Sequence, residues 1–178
     1  IKAMEKQKIL IAYFSHAGEN YAEGSIVKLE EGNTAVAAKK MQQLTGADLF
    51  EICPEKPYSA NYAECVKEAR EELQADARPE LQGILPDLAP YDAICLGYPN
   101  WCGTMPMPVF TFLERVVTEG KILYPFCTNE GSGMGHSLDD LRKLCPKAEI
   151  GKALPLRGCR VGNADFQIEN WLEGIGLW

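Results

Sequence analysis

The sequence contains no long hydrophobic run. Its uninterrupted apolar stretches are only a few residues long, whereas a helix that crosses a bilayer needs about 20 such residues. No basic start leads into an apolar segment of the kind found in a secretory signal. These absences predict a soluble protein that has no membrane partner.

Positive charge is in deficit. Lysine and arginine together number 18 against 25 aspartates and glutamates, which gives a formal net charge of −7. Nucleic acid and anionic membranes repel such a chain on average, so neither is an expected partner. Apolar residues make up 46% and charged residues 24% of the chain, and these ordinary globular values disfavour disorder. The length of 178 residues predicts one domain over 1–178.

Several motifs of metal, disulfide and hydrolytic chemistry are missing. The seven cysteines include no Cys-x-x-Cys pair, and the two histidines form no ligand pattern with them. This pattern argues against a disulfide framework and a metal site, and it favours the reducing cytoplasm. The sequence also lacks a Gly-x-Ser-x-Gly turn and a Gly-x-x-x-x-Gly-Lys-Ser/Thr loop, which disfavours a serine hydrolase and a nucleotide triphosphatase.

Short apolar runs alternate with helical patterns along the chain. The run KILIAYF at 8–14 is typical of a strand that is buried on both faces of a parallel sheet. The pattern predicts strands over 8–14, 47–53, 92–97, 122–127 and 149–156 and helices over 33–46, 61–73, 109–117, 137–144 and 166–175. The predicted fold class is α/β, with a doubly wound, five-stranded parallel sheet in three αβα layers.

The segment 19–32 interrupts this alternation between the first strand and the first helix. It is rich in glutamate and contains a single lysine, Lys28. We interpret it as an insertion in the first strand-to-helix loop, and we expect it to shield a bound ligand or to form a surface for a partner.

Three loops follow the carboxyl ends of predicted strands, where ligands bind in open α/β sheets. The first combines small and hydroxyl residues with the start of a helix, which suits a phosphate. The second places Trp101 in a loop rich in proline and glycine, where its ring offers a flat face to an aromatic ligand. The third is rich in glycine and hydroxyls. The candidate site residues are Ser15, His16, Ala17, Gly18, Asn33, Thr34, Pro99, Asn100, Trp101, Cys102, Gly103, Thr128, Asn129, Glu130, Gly131, Ser132 and Gly133.

Each of these features also has a simpler interpretation. The first loop could be an ordinary strand-to-helix turn capped by Asn33, and Trp101 could be packed beneath its own loop. His16 could contact a phosphate or be an ordinary surface residue. Cys102 has no basic neighbour and no second cysteine close to it in sequence. No catalytic residue is therefore assigned.

The stretches KILIAYFS, YPNWCGTMPMP and TNEGSGMG resemble the flavodoxin-like FMN-binding proteins, in particular bacterial flavodoxins with an insertion in the phosphate-binding loop. The resemblance covers nearly the whole chain and implies the strand order 2-1-3-4-5 and FMN as the cofactor. It also implies that 15–18, Asn33 and Thr34 hold the phosphate, with Thr34 the stronger candidate of the two helix residues. By the same resemblance, 99–103 and 128–133 bracket the isoalloxazine ring.

The function implied by the resemblance is electron transfer. Stacking on Trp101 and the negative charge of the protein both disfavour a negatively charged reduced ring, which predicts a low reduction potential. The expected partners are redox proteins with basic surfaces. An FMN-dependent NAD(P)H quinone or nitro reductase is the alternative on this scaffold, and the oligomeric state is left open. A phospho-acceptor receiver domain is disfavoured because Ser15 and Tyr98 occupy positions where it requires acidic residues.

Overall fold

The structure, a computed structural model, describes residues 7–178. This part of the chain forms a main sheet covered by helices on both faces and a separate two-stranded hairpin. In chain order the elements are β1 (Ile9–Tyr13), β2 (Gly18–Ala22), β3 (Ser25–Leu29), α1 (Asn33–Thr45), β4 (Asp48–Glu51), α2 (Tyr62–Gln74), β5 (Ala93–Pro99), α3 (Met107–Arg115), β6 (Ile122–Asn129), α4 (Ser137–Leu144), β7 (Glu149–Ile150), β8 (Leu154–Arg157), a 3₁₀ helix (Gly158–Asn163) and α5 (Asp165–Gly174). None of the described helices is long and apolar enough to cross a membrane.

The main sheet is parallel, with its strands in the order β4-β1-β5-β6-β7 and with β8 also paired to β6. Because the hairpin strands lie outside this sheet, the order confirms the predicted 2-1-3-4-5 arrangement. The fifth strand was predicted to be continuous over 149–156 and is instead divided into β7 and β8. Between them Gly151 passes so close to Tyr124 that a Cβ would lie 2.3 Å from the ring carbon Cε1.

Both faces of the main sheet are buried, in agreement with the continuous apolar runs of its strands. Along β1, Ile11 faces the core beneath α1 and α5, whereas Leu10 faces the core beneath α2, α3 and α4. The same alternation in β5 places Cys95 on the first side and Leu96 on the second. The loops at the strand ends are thereby brought to a common edge of the sheet.

The predicted insertion forms the hairpin of β2 and β3, for which no secondary structure was predicted. Tyr21 lies opposite Ile26 in its register, and the turn between the strands contains Glu23 and Gly24 with φ of 48° and 84°. Two left-handed residues are typical of a type I′ hairpin turn. The backbone N–H of Glu19 donates to the carbonyl of Ala60 at 2.8 Å, which holds the hairpin against the start of α2.

Candidate functional site

A cavity of about 440 Å³ opens at the carboxyl edge of the main sheet. The loops after β1, β5 and β6 and the first turn of α1 contribute to its wall, as expected for an open α/β sheet. The predicted site residues on the wall are His16, Asn33, Thr34, Pro99, Asn100, Trp101, Cys102, Thr128, Asn129, Glu130 and Ser132. The three predicted loops therefore converge on one cavity.

The remaining predicted site residues, Ser15, Ala17, Gly18, Gly103, Gly131 and Gly133, do not line the cavity. Ser15 and Gly18 have a visible structural use. The hydroxyl oxygen of Ser15 accepts a hydrogen bond from the backbone N–H of Ala35 at 3.0 Å, which satisfies one of the N–H groups that α1 cannot pair internally. Gly18 has a φ of 95° and begins β2. A ligand role for these residues stays a prediction.

Neutral hydrogen-bonding groups and one carboxylate, that of Glu130, surround one end of the cavity; Oε1 of Glu130 would lie 2.8 Å from a Cβ on Gly158. The buried hydroxyls of Thr34 and Thr128 lie 2.7 Å apart and join α1 to the end of β6. Asn33 lies beside Gly158, where a Cβ would come within 2.7 Å of the Asn33 amide nitrogen. Because the first N–H groups of a helix have no internal acceptor, the start of α1 adds donors and a positive dipole end. This end of the cavity can therefore accept an anion.

Glu130 carries a carboxylate that is only partly satisfied. Its Oε1 accepts a hydrogen bond from the backbone N–H of Cys159 at 2.8 Å. Its Oε2 is buried and has no hydrogen-bond partner among residues 7–178, while Nε of Arg157 lies 3.6 Å away. The side chain is 15% exposed. Since a buried acceptor without a donor is unfavourable, this oxygen is available to a hydroxyl or N–H group of a ligand.

The loops after β5 and β6 are held firmly against each other. The side-chain amide of Asn100 donates to the carbonyl of Gly133 at 3.0 Å. The backbone N–H of His136 donates to the carbonyl of Gly103 at 2.7 Å. Gly135 approaches the same carbonyl so closely that a Cβ would lie 2.2 Å from its oxygen. The relative position of the two loops therefore depends on the absence of a side chain at Gly135.

Trp101 begins a tight turn at the cavity rim. The backbone N–H of Trp101 donates to the carbonyl of Thr104 at 2.9 Å, and the backbone N–H of Thr104 donates to the carbonyl of Trp101 at 3.2 Å. The two residues between them, Cys102 and Gly103, have φ of 56° and 88°, the pattern of a type I′ turn. A left-handed conformation is uncommon for a residue with a side chain, and here it places Cys102 in an exposed position.

The expectation of a free indole face is met only in part. Trp101 lines the cavity, but its ring also packs edge-to-face against Tyr58 and Phe14 at centroid distances of 4.8 and 5.1 Å. His16 lies against the same ring, and its Nε2 is 2.9 Å from the carbonyl oxygen of Ser59. This nitrogen is therefore engaged by the backbone, which disfavours a direct contact between it and a phosphate.

Part of the cavity wall was not predicted from the sequence. The additional wall residues are Glu19, Asn20, Tyr21, Tyr62, Cys65, Val66, Ala69, Arg70 and Gly158. The hairpin residues belong to the segment 19–32, which we expected to shield a ligand or to form a surface for a partner, whereas the others come from α2 and from the segment after β8. The helical pattern over 61–73 predicted α2, but periodicity does not distinguish a face that packs in a core from one that borders a cavity. Burial raises the pKa of the Cys65 thiol to about 12, so that this side chain stays neutral.

The flavodoxin family model matches residues 8–175. The chain belongs to the flavodoxin family. This confirms the resemblance seen in the three loop sequences. No curated protein matches this flavodoxin in sequence.

Solved structures agree with this assignment. A protein from Bacteroides eggerthii assigned as a flavoprotein is 29% identical, with a TM-score of 0.74, and the match covers 96% of this chain and 98% of that one. A counterpart from Bacteroides uniformis is 28% identical, with a TM-score of 0.74 and coverages of 95% and 99%. A flavoprotein from Lactobacillus acidophilus, solved in complex with FMN, is 19% identical, with a TM-score of 0.66 and coverages of 93% and 98%. This last likeness concerns the fold alone.

FMN, the predicted cofactor, is the cofactor of the flavodoxin family, and the chemistry of the cavity fits it. Asn33 and the start of α1 present neutral donors at one end. The partnerless oxygen of Glu130 can accept a hydrogen bond from a hydroxyl of the ribityl chain. Trp101 supplies aromatic surface for the ring.

We expect Gly135→Ala to destabilise this flavodoxin more than Gly133→Ala. Both glycines have a left-handed φ, 55° and 62°, so each substitution should lower the free energy of unfolding by about 1 kcal/mol. Only at Gly135 would the new Cβ collide with the carbonyl of Gly103, which adds roughly 1–3 kcal/mol. Urea denaturation measures both values, and equal losses would contradict the inferred packing of the two loops.

Proposed function

We propose that this flavodoxin holds FMN along the cavity and transfers electrons between partner proteins. One observation carries the proposal: a single cleft is lined both by the neutral donors at the start of α1 and by an indole ring. When bound, FMN supplies one-electron and two-electron chemistry. The protein contributes the binding, orientation and electrostatic environment of the ring.

The phosphate would lie at the start of α1. Asn33 and Thr34 stand there with the N–H groups of the first helical turn, and the helix dipole favours an anion. Ser15 would also bind the phosphate. Its hydroxyl oxygen accepts a hydrogen bond from the N–H of Ala35, and the hydroxyl can at the same time donate to a phosphate oxygen. Loop amides and hydroxyls, rather than lysine or arginine, would thus recognise the phosphate.

The isoalloxazine ring would lie between the loops that follow β5 and β6. Trp101 would contact one face or edge of the ring, and its packing against Tyr58 and Phe14 would keep the indole in place. Glu130 would accept a hydrogen bond from the ribityl chain. The negative charge of this carboxylate would add to the net charge of −7 and oppose the gain of negative charge by the ring. We therefore infer a low reduction potential.

The excess of acidic residues also bears on the partners. A protein with a net charge of −7 attracts partners that have basic surfaces, and this attraction increases the rate of encounter at low ionic strength. We infer redox proteins with basic patches as the partners. Cytoplasmic location, which the free cysteines favour, belongs to the same proposal.

One feature favours the alternative, an FMN-dependent NAD(P)H quinone or nitro reductase. The cavity continues from the three predicted loops to the side of α2, where Val66 and Ala69 line it. A reductase needs such space beside the ring for its own substrate, whereas an electron carrier needs only an accessible ring edge.

Flavin binding followed by electron transfer tests the proposal. We expect the purified protein to bind FMN, to turn yellow and, once reduced with dithionite, to reduce cytochrome c, a basic haem protein. The rate should fall as salt is added because the attraction between opposite charges is screened. A protein that stays colourless with excess FMN contradicts the proposal, and repeated turnover of a quinone by NADPH without another protein would establish the alternative.

Replacement of Trp101 should weaken FMN binding. An aromatic contact contributes about 1 kcal/mol beyond buried area, so Trp101→Ala should raise the dissociation constant by a factor of at least about five and Trp101→Phe less. Fluorescence titration measures the constants, and riboflavin should lose affinity by the same factor because the phosphate is not involved. Urea denaturation of the apoproteins controls for the lost contacts with Tyr58 and Phe14, and unaltered affinity in a folded Trp101→Ala variant contradicts the proposed contact.

Replacement of Glu130 should alter the reduction potential. Glu130→Gln keeps the size of the side chain and one acceptor oxygen but removes a charge from the cavity wall, so we expect the midpoint potential of bound FMN to rise by roughly tens of millivolts. Glu173→Gln is the matched control, because it removes the same charge from the exposed end of α5. Spectroelectrochemical titration measures both potentials, and equal shifts in the two variants would mean that Glu130 does not act on the ring.

A further inference from the structure

One wall of the cavity is built from a single face of α2. Tyr62, Cys65, Val66, Ala69 and Arg70 all line it, and their spacings of three and four residues place them on one side of the helix. The stretch from the first to the last of them is about 12 Å long at 1.5 Å per residue. None of these residues belongs to the three loops that would hold FMN.

The side chains in the middle of this wall are small and uncharged. Val66 and Ala69 are aliphatic, and burial keeps the Cys65 thiol protonated by raising its pKa to about 12. At one end of the wall Tyr62 lies near Tyr21 of the hairpin, with ring centroids 6.4 Å apart. A ligand that lies along this wall therefore meets aliphatic and aromatic groups over most of its length.

The other end of the wall carries a guanidinium. The chain has six arginines, and Arg78, Arg115, Arg142, Arg157 and Arg160 each have a carboxylate oxygen within 4.0 Å. Arg70 has no such partner in the part of the chain that the structure describes, although acidic residues outnumber basic ones. It is exposed and lines the cavity.

Within the described range, neither of the two acidic side chains on the cavity wall is paired with Arg70. Oε2 of Glu19 accepts a hydrogen bond from the backbone N–H of Tyr62 at 2.7 Å, and Glu130 is held by the backbone N–H of Cys159. The guanidinium of Arg70 is therefore free to bind an anion from solution. Its planar set of donors suits a carboxylate, which it can bind through two parallel hydrogen bonds.

We propose that the α2 wall is a binding subsite for a small aromatic carboxylate, with the ring against Val66 and Ala69 and the carboxylate on Arg70. This inference rests on the proposed binding of FMN, because the subsite borders the space that the isoalloxazine ring would occupy. The subsite would hold an aromatic acid, or a substrate of that chemical class, next to the flavin.

Titration of the FMN-loaded protein with benzoate tests the inference. Benzamide is the matched neutral probe, because it has nearly the same shape and no charge. Isothermal calorimetry measures affinity, and the visible flavin spectrum shows whether the probe lies near the ring. We expect benzoate to bind at least ten-fold more tightly than benzamide and to shift the flavin spectrum, since a charge-assisted hydrogen bond is stronger than a neutral one.

Variants at position 70 identify the group that binds the carboxylate. Arg70→Gln should weaken benzoate binding roughly ten-fold and leave benzamide binding unchanged, and Arg70→Lys should give an intermediate loss. Arg142→Gln removes the same charge from α4, away from the cavity, and should bind benzoate like the parent. Benzoate affinity that is equal in the parent and Arg70→Gln contradicts the inference.

Three other outcomes separate this inference from the proposed function. If Arg70→Gln loses affinity for FMN but not for riboflavin, Arg70 contacts the cofactor phosphate and the subsite assignment is wrong. A parent protein that takes up no FMN overturns the proposed function, and the inference is overturned with it. A yellow protein that does not bind benzoate overturns the inference alone.

Discussion

Burial of the central strands on both faces is the constraint on which the cavity depends. Ile11 and Leu10 point into opposite cores, so a shift of β1 by one residue would exchange its two faces and disturb both. The same requirement holds β5 and β6 in register with β1. The register therefore fixes where each of these strands ends relative to its neighbours, and the loops that follow them meet at one edge of the sheet.

Within that edge, the loops are positioned by short-range contacts. The hydroxyls of Thr34 and Thr128 join the first helix to the end of β6, and Asn100 joins the two loops on the other side of the cleft. Such contacts hold the walls before a ligand arrives. A cavity whose shape is already formed loses less conformational entropy on binding than one that must be ordered by its ligand.

The sequence predicted the strands, the order of the sheet and the three loops because each depends on local pattern. Continuous apolar runs such as 8–14 indicated two-sided burial, and the structure agrees. The division of the fifth strand at Gly151 depends on the close approach of Tyr124, a tertiary contact with no local signal. The hairpin turn consists of Glu23 and Gly24, and glutamate is not among the residues favoured at the first position of a type I′ turn, so the sequence carried no clear hairpin signal.

The candidate site was predictable in its loops and not in its second wall. Residues such as Asn33 and Trp101 follow strands, so the topology alone places them near the cavity. Arg70 and Val66 reach the cavity because α2 packs beside the loop after β5, which periodicity cannot reveal. Trp101 illustrates the limit for a single residue: its type suggested an open stacking surface, and its neighbours Tyr58 and Phe14 make it part of a packed cluster as well.

Among residues 7–178, the strands β2 and β3 pair only with each other, and this separation from the main sheet has an evolutionary consequence. Insertions or deletions in such a ribbon leave the hydrogen bonding of the parallel strands intact, so natural variation can accumulate there at little risk to folding. Because the ribbon also forms part of the outer wall, related proteins could diversify their specificity through this segment while the inherited scaffold remains constant.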